Sequence, residues 1–278
     1  MDTASFQRDV DALLPDDYNA FRAAGPDMPA KARDAAFAAH PALRRYDEAF
    51  DRVFGEVART RVVRRPAVWL LYNMGVVVKT PETVFAIDLV HRRAACFAPV
   101  LDFALVTHNH ADHADVPLLD AMDAAGKTVV SDFRDNYAAV RAGRTGGYTR
   151  RRKVFRLGDA VVRTGRSDHN RYLVDFTTTF EISVGDWTLY HTGDSSNLDK
   201  LSPRRPPDLW IVHPRCGLDV AAAAAKFRPA LTAIAHLCEL GHARDRWRWM
   251  LADGRAAARL VRAAGSRAVV PVWGQRVV

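Results

Sequence analysis

The chain has 278 residues, 49% hydrophobic and 26% charged, an ordinary soluble globular composition with enough length to bury a large core. Its longest apolar runs, such as 67–72 and 75–78, fall far below the ~20 residues a bilayer span requires, which excludes a helical membrane protein. The formal net charge of +8 is local, because residues 141–166 hold nine Lys or Arg against Asp159 alone.

In chain order, residues 1 to about 60 read as helical. Segments 30–39 and 42–58 place apolar residues at three- and four-residue spacing, and Pro15, Pro26, Pro29 and Pro41 break the region into short pieces. This extension carries no evident chemistry and reads as a packing or dimerisation element. With Trp247 and Trp249, which look exposed, it points to a homo-oligomer.

From residue 67 the texture turns to short β-rich runs at 67–72, 75–79, 83–89, 103–107 and 128–131, with helical stretches at 116–125 and 132–141. A second β-rich block spans 153–191, in which 172–184 alternates well and Gly185-Asp186 forms a turn into 187–191. Then follow a strand at 209–213, a helix at 220–227, a strand at 231–235, a long helix near 244–264 and a last strand at 268–272. Strands interspersed with helices imply sheets covered by helices. The division expected is an extension over 1–60 and one domain over 61–278.

Three histidines and an aspartate fall within six residues, His108 to His113, directly after an apolar run. Imidazole nitrogens and a carboxylate suit zinc and similar divalent ions, and no cysteine intrudes. A strand end entering a loop holds such groups firmly. Elsewhere an acid or histidine again follows an apolar run: Asp88, Asp194, His213 and His236, with His169 between two β-rich stretches. Each alone is weak, but together they are the ligands that a two-metal site still needs.

The ordered series Asp88, THNHADH (107–113), His169, HTGD (191–194) and His236 resembles the metallo-β-lactamase-fold hydrolases over roughly residues 67–278. The resemblance implies an α+β fold, a four-layer αββα sandwich of two mixed sheets with helices outside and metals at one edge. It implies that His108, His110 and His169 hold one ion, that Asp112, His113 and His236 hold the second, and that Asp194 bridges them. Asp88 would support the ligand loop from behind. The order of elements favours His236 over His213 as the last ligand. Glu239 and His242 follow closely, as supporting or substrate-contacting groups.

The function this implies is a metal-dependent hydrolase with two divalent ions, zinc first, manganese or iron as alternatives. A metal-bridging hydroxide would attack an ester, lactone or phosphodiester of a small anionic substrate. Asp112 could orient that hydroxide, and His191, His213 and His242 are candidates to protonate a leaving group. Arg150, Arg151 and Arg152 are candidate substrate contacts. The same basic stretch motivates an alternative reading as a nuclease acting on nucleic acid. A non-catalytic binding protein on the same fold is the third reading. No GxSxG element is present, so covalent serine catalysis has no support. Cys96, Cys216 and Cys238 lack CxxC spacing and read as reduced thiols, and the first residues lack a secretory pattern, so a cytoplasmic location is expected.

Overall fold

Alternation along the strands decides the architecture. The computed structural model describes residues 2–23, 29–133, 153–170, 172–243 and 246–278. One sheet contains β1 (Ala67–Tyr72), β2 (Gly75–Lys79), β3 (Val84–Ile87), β4 (Phe103–Leu105), β5 (Thr128–Val130) and the C-terminal β13 (Gln275–Arg276), in the order β13-β1-β2-β3-β4-β5. The other contains β6 (Val154–Leu157), β7 (Ala160–His169), β8 (Leu173–Val184), β9 (Trp187–His191), β10 (Leu209–Val212), β11 (Leu231–Ile234) and β12 (Arg267–Val269), ordered β12 to β6. Val68, Leu70, Val76, Val78, Phe85 and Ile87 of the first sheet meet Phe180, Ile182, Leu189, Leu209 and Ile211 of the second in one buried cluster. The residues between them, among them Trp69, Leu71, Val77, Trp210 and Val212, belong to a separate cluster that includes the helices. A period of two therefore sends half of each strand to the inter-sheet core and half outward.

The outward faces are covered by α1 (Thr3–Asp11), α2 (Pro15–Ala23), α3 (Ala30–Ala39), α4 (Pro41–Arg59), α5 (Val116–Ala124), α6 (Val220–Phe227) and α7 (Leu251–Ala263). Pro41 opens α4 at its first turn, where a missing N–H costs nothing, and Leu43, Tyr46, Phe50, Val53 and Val57 form its buried stripe against β1 and β2. Each such side chain contributes roughly 1.5–3 kcal/mol on burial. Polar contacts fix the register: Trp69 Nε1 donates to Glu56 at 2.7 Å, and Arg92 holds both Asp47 and Asp34. The result is the expected αββα sandwich, with α1 to α4 built into its outer helical layer.

Three local expectations change. The helix expected over 132–141 lies almost wholly outside the described residues. The helix expected from 244 begins at Leu251, because Trp247 takes a left-handed φ of 71° and the Arg248 guanidinium turns inward to four backbone carbonyls. The last run shortens to Arg267–Val269, and the chain then adds β13 beside β1, a pairing too short to read from periodicity.

Candidate metal centre

The chemistry-bearing residues gather at one edge because the strands that carry them run the same way. β3, β4 and β5 are parallel, as are β9 to β12, and β7 joins that direction through two antiparallel steps. Asp88 follows β3, the His108–His113 turn follows β4, and His169 ends β7. Asp194, His213 and His236 follow β9, β10 and β11. Carboxyl ends of parallel strands are where such sheets present their functional loops. Gly193 takes φ 52°, and a Cβ there would meet Thr107 and Thr177 at 2.9 Å, so the turn that presents Asp194 needs glycine.

The side chains assemble into two groups that share one aspartate. Ligand atoms of His108, His110 and His169 lie within 4.8 Å of one another, as do those of Asp112, His113 and His236. Asp194 stands between, its Oδ1 3.4 Å from His113 Nε2 and its Oδ2 3.4 Å from both His169 Nε2 and His236 Nε2. His108 Nε2, His113 Nε2 and Asp194 Oδ1 are buried without a hydrogen-bond partner. Burial alone raises a carboxyl pKa, yet the neighbouring His113 and His236 hold Asp112 and Asp194 well below the ordinary range. Burial opposes charge on His113 and His236, but Asp194 and Asp112 outweigh it, holding His113 high and pushing His236 up to about 10. The buried carboxylates thus demand positive charge; protons can supply it, and a divalent ion would supply it better through the same atoms. The donor set fits such an ion.

Hydrogen bonds to the other ring nitrogen decide which histidines can ligate. Asp88 Oδ1 accepts from the Thr107 amide at 2.7 Å, and its Oδ2 accepts from Thr107 Oγ1 at 2.7 Å and from His113 Nδ1 at 2.9 Å. His113 therefore presents a bare Nε2 to the cluster. Thr107 Oγ1, its proton given to Asp88, accepts from His108 Nδ1 at 3.0 Å and frees His108 Nε2 likewise. Asp88 supports two ligands at once, with its backbone held at φ 49°. Asn170 Nδ2 donates to His169 Nδ1 at 3.1 Å while its Oδ1 accepts from the Tyr172 amide. His169 thus ligates through Nε2 once the Asn170 side chain turns its oxygen to Nδ1, a rotation open to a side-chain amide and closed to a backbone one. Burial first, and neighbouring histidines second, keep His108 and His110 below the ordinary imidazole range.

Sequence reasoning missed Asn73. Its Nδ2 donates to Asp112 Oδ2 at 3.1 Å, and its carbonyl accepts from the His236 amide at 3.0 Å, so it couples two ligands of the second group. The signal was Asn73-Met74-Gly75 between two strands, a tight turn with Asn73 at φ 54°. Thr107 was inside the motif but its bridging hydroxyl was not foreseen.

Above the cluster lies a cavity of about 490 Å³, lined by both groups and by Arg215, Cys216, Glu239, His242, Trp247, Trp249 and Asn19 from α2. Glu239 is buried and accepts from Tyr72 Oη at 3.0 Å and from the Gly241 amide at 2.8 Å. Its other oxygen lies 2.6 Å from His242 Nδ1, and this bond first of all raises the His242 pKa. His191 does not face the cavity. Its Nε2 donates to the Met74 carbonyl at 3.1 Å and its Nδ1 accepts from the Gly193 amide at 3.3 Å, which removes it as a proton donor to substrate. Arg150, Arg151 and Arg152 lie outside the described residues. Of the described basic residues nearby, Arg166 is paired with Asp132. Among the described residues no helix is long and apolar enough to cross a membrane.

No family model matches the chain, and no curated protein matches it in sequence. Solved structures do match. Igni18, a metallo hydrolase from Ignicoccus hospitalis, aligns with TM-score 0.56 and 16% identity over 76% of this chain and 97% of that one. YhfI from Bacillus subtilis, a metallo-β-lactamase fold protein, aligns with TM-score 0.55 and 16% identity over 76% and 98%. CmlA, a diiron β-hydroxylase from Streptomyces venezuelae, aligns with TM-score 0.55 and 16% identity over 88% of this chain and 61% of its own length. Two facing sheets, helices on both outer faces and a His/Asp cluster at one edge accompany these alignments, and the chain has the metallo-β-lactamase fold.

Proposed function

We propose that the chain is a metal-dependent hydrolase acting on a small anionic substrate. The observation that carries this reading is the convergence of buried ligand atoms without partners, His108 Nε2, His113 Nε2 and Asp194 Oδ1, beneath an open cavity. His108, His110 and His169 would hold one divalent ion, Asp112, His113 and His236 a second, and Asp194 would serve both. Zinc is the first choice and manganese or iron the alternatives; the match to a diiron protein keeps iron in the set. When bound, such ions supply Lewis acidity and bring the pKa of water toward about 7.

The remaining work falls to this chain's own side chains. Asp112, its Oδ2 steadied by Asn73, can accept a hydrogen bond from the attacking water and set its direction. His242, its Nδ1 side held by Glu239, lines the cavity and can give a proton to a leaving group. Arg215, its guanidinium 4.8 Å from the Trp249 ring centroid, puts positive charge at the cavity beside an apolar wall, which suits an anion with an apolar part. The bond cleaved is an ester, lactone or phosphodiester.

A panel of an aryl ester, lactones and bis(p-nitrophenyl) phosphate tests the reading. The expected result is turnover of at least one class that chelator abolishes and added metal restores. Absence of metal-dependent turnover across the panel, or salt-sensitive RNA cleavage in its place, would contradict it.

A further inference from the structure

His213 stands beside the proposed metal ligands with its ring stacked on His236, centroids 3.9 Å apart and planes within 18°. Its ligand atom lies within 4.8 Å of those of Asp194 and His236, so proximity alone would make it a ligand. Its hydrogen bonding says otherwise. The Arg215 backbone N–H donates to His213 Nδ1 at 3.0 Å. A backbone amide can only donate, so Nδ1 keeps its lone pair for that bond and the neutral ring carries its proton on Nε2. The same i+2 amide contact holds His91 and His191, whose ring protons also sit on Nε2, and neither belongs to the cluster. His108 and His113 show the opposite arrangement, with Nδ1 as the donor and Nε2 bare.

Two properties follow. A protonated Nε2 cannot bind a cation. With Nδ1 occupied by the Arg215 amide, the ring's remaining polar atom is the Nε2 donor. What remains is a donor on the cavity wall, without a hydrogen-bond acceptor among the described residues. A neutral imidazole in that position polarises an oxygen on which charge develops.

We infer that His213 is a catalytic hydrogen-bond donor to the substrate oxygen that takes up negative charge, and not a metal ligand. This rests on the hydrolase reading above. It assigns the tetrahedral or phosphoryl oxygen to the β10 side of the cavity and leaves proton transfer to His242.

The test compares His213→Ala with His236→Ala on the full chain. His213→Ala should retain the wild-type metal content, keep the shape of the pH profile and lose roughly 100- to 1,000-fold in kcat with KM little changed, the size of effect found when one oxyanion donor is removed. Inhibition by inorganic phosphate, an anion that would take the same donor, should weaken at least about tenfold. His236→Ala should lose metal. If His213→Ala loses metal as His236→Ala does, or leaves both kcat and phosphate inhibition unchanged, the proposal is overturned while the hydrolase reading stands. Wild-type protein that holds no metal overturns that reading itself. Should His213→Ala fail to fold, long-range ¹H–¹⁵N spectra of the zinc-loaded wild-type protein decide, with a proton on Nε2 of His213 expected and a coordinated Nε2 contrary.

Discussion

At the scale of single residues, the cluster is governed by which nitrogen of each ring is left bare. The THNHADH turn was legible because four potential ligands, three His and one Asp, within six residues after one strand have few other uses. Between His213 and His236 the sequence offered only the order of elements, which favours His236; both end strands, and the Arg215 amide on His213 Nδ1 is a contact that order does not foretell. His191 misled for the same reason: a histidine two residues before a glycine turn satisfies that turn's amide and faces inward. Asp88 shows what one carboxylate can do from behind the ligands. Asp88→Asn keeps the size of the side chain but removes the charge that draws Nδ1–H from His113 and Oγ1–H from Thr107. Metal titration should show a loss of affinity of about 10- to 100-fold. Unchanged affinity would show that the tautomers are set elsewhere.

At the scale of elements, the strands were readable as short apolar runs because both of their faces are buried, and α4 as a period-3.6 stripe because its burial is one-sided. The start of α7 was not, because a distant demand on Arg248 overrides local helical preference. The docking of α4 also makes a pH prediction. His91 stacks on Phe50 with ring centroids 4.4 Å apart, and its Nε2 lies 3.3 Å from Asp47. Burial pushes its pKa down to about 4 from an ordinary 6.5, despite the Asp47 carboxylate. Between those values the unfolded chain binds the proton and the folded chain does not, so stability rises with pH across that window and is flat above it. The window is worth roughly 3 kcal/mol. Denaturant midpoints at pH 4.5 and 7 should therefore lie closer together in His91→Gln than in wild type. An equal spacing in both would show that His91 is not the group responsible.

At the scale of the whole molecule, the N-terminal helices are tied to the cavity by Asn19, whose Nδ2 donates to the Gly241 carbonyl at 3.1 Å, and by the buried Arg248. Arg248 donates from Nε to the Glu239 carbonyl, from one terminal nitrogen to the Leu240 carbonyl and from the other to the Val10 and Leu13 carbonyls. It therefore joins the end of α1 to the segment that carries Glu239 and His242. Nothing in the sequence near Arg248 announces contacts more than 230 residues away, which is why the extension looked chemically silent. Arg248→Met keeps the length and removes the donors, leaving buried carbonyls unpaired. A loss of stability on the order of 3 kcal/mol is expected in denaturant unfolding, with faster proteolysis near α1; an unchanged midpoint would contradict this link. The central claim is nonetheless the two-ion centre, and elemental analysis of the metal-replete protein tests it most directly. Wild type should hold close to two equivalents of divalent metal per chain and Asp194→Ala at most one; a wild-type chain that holds none would contradict the account.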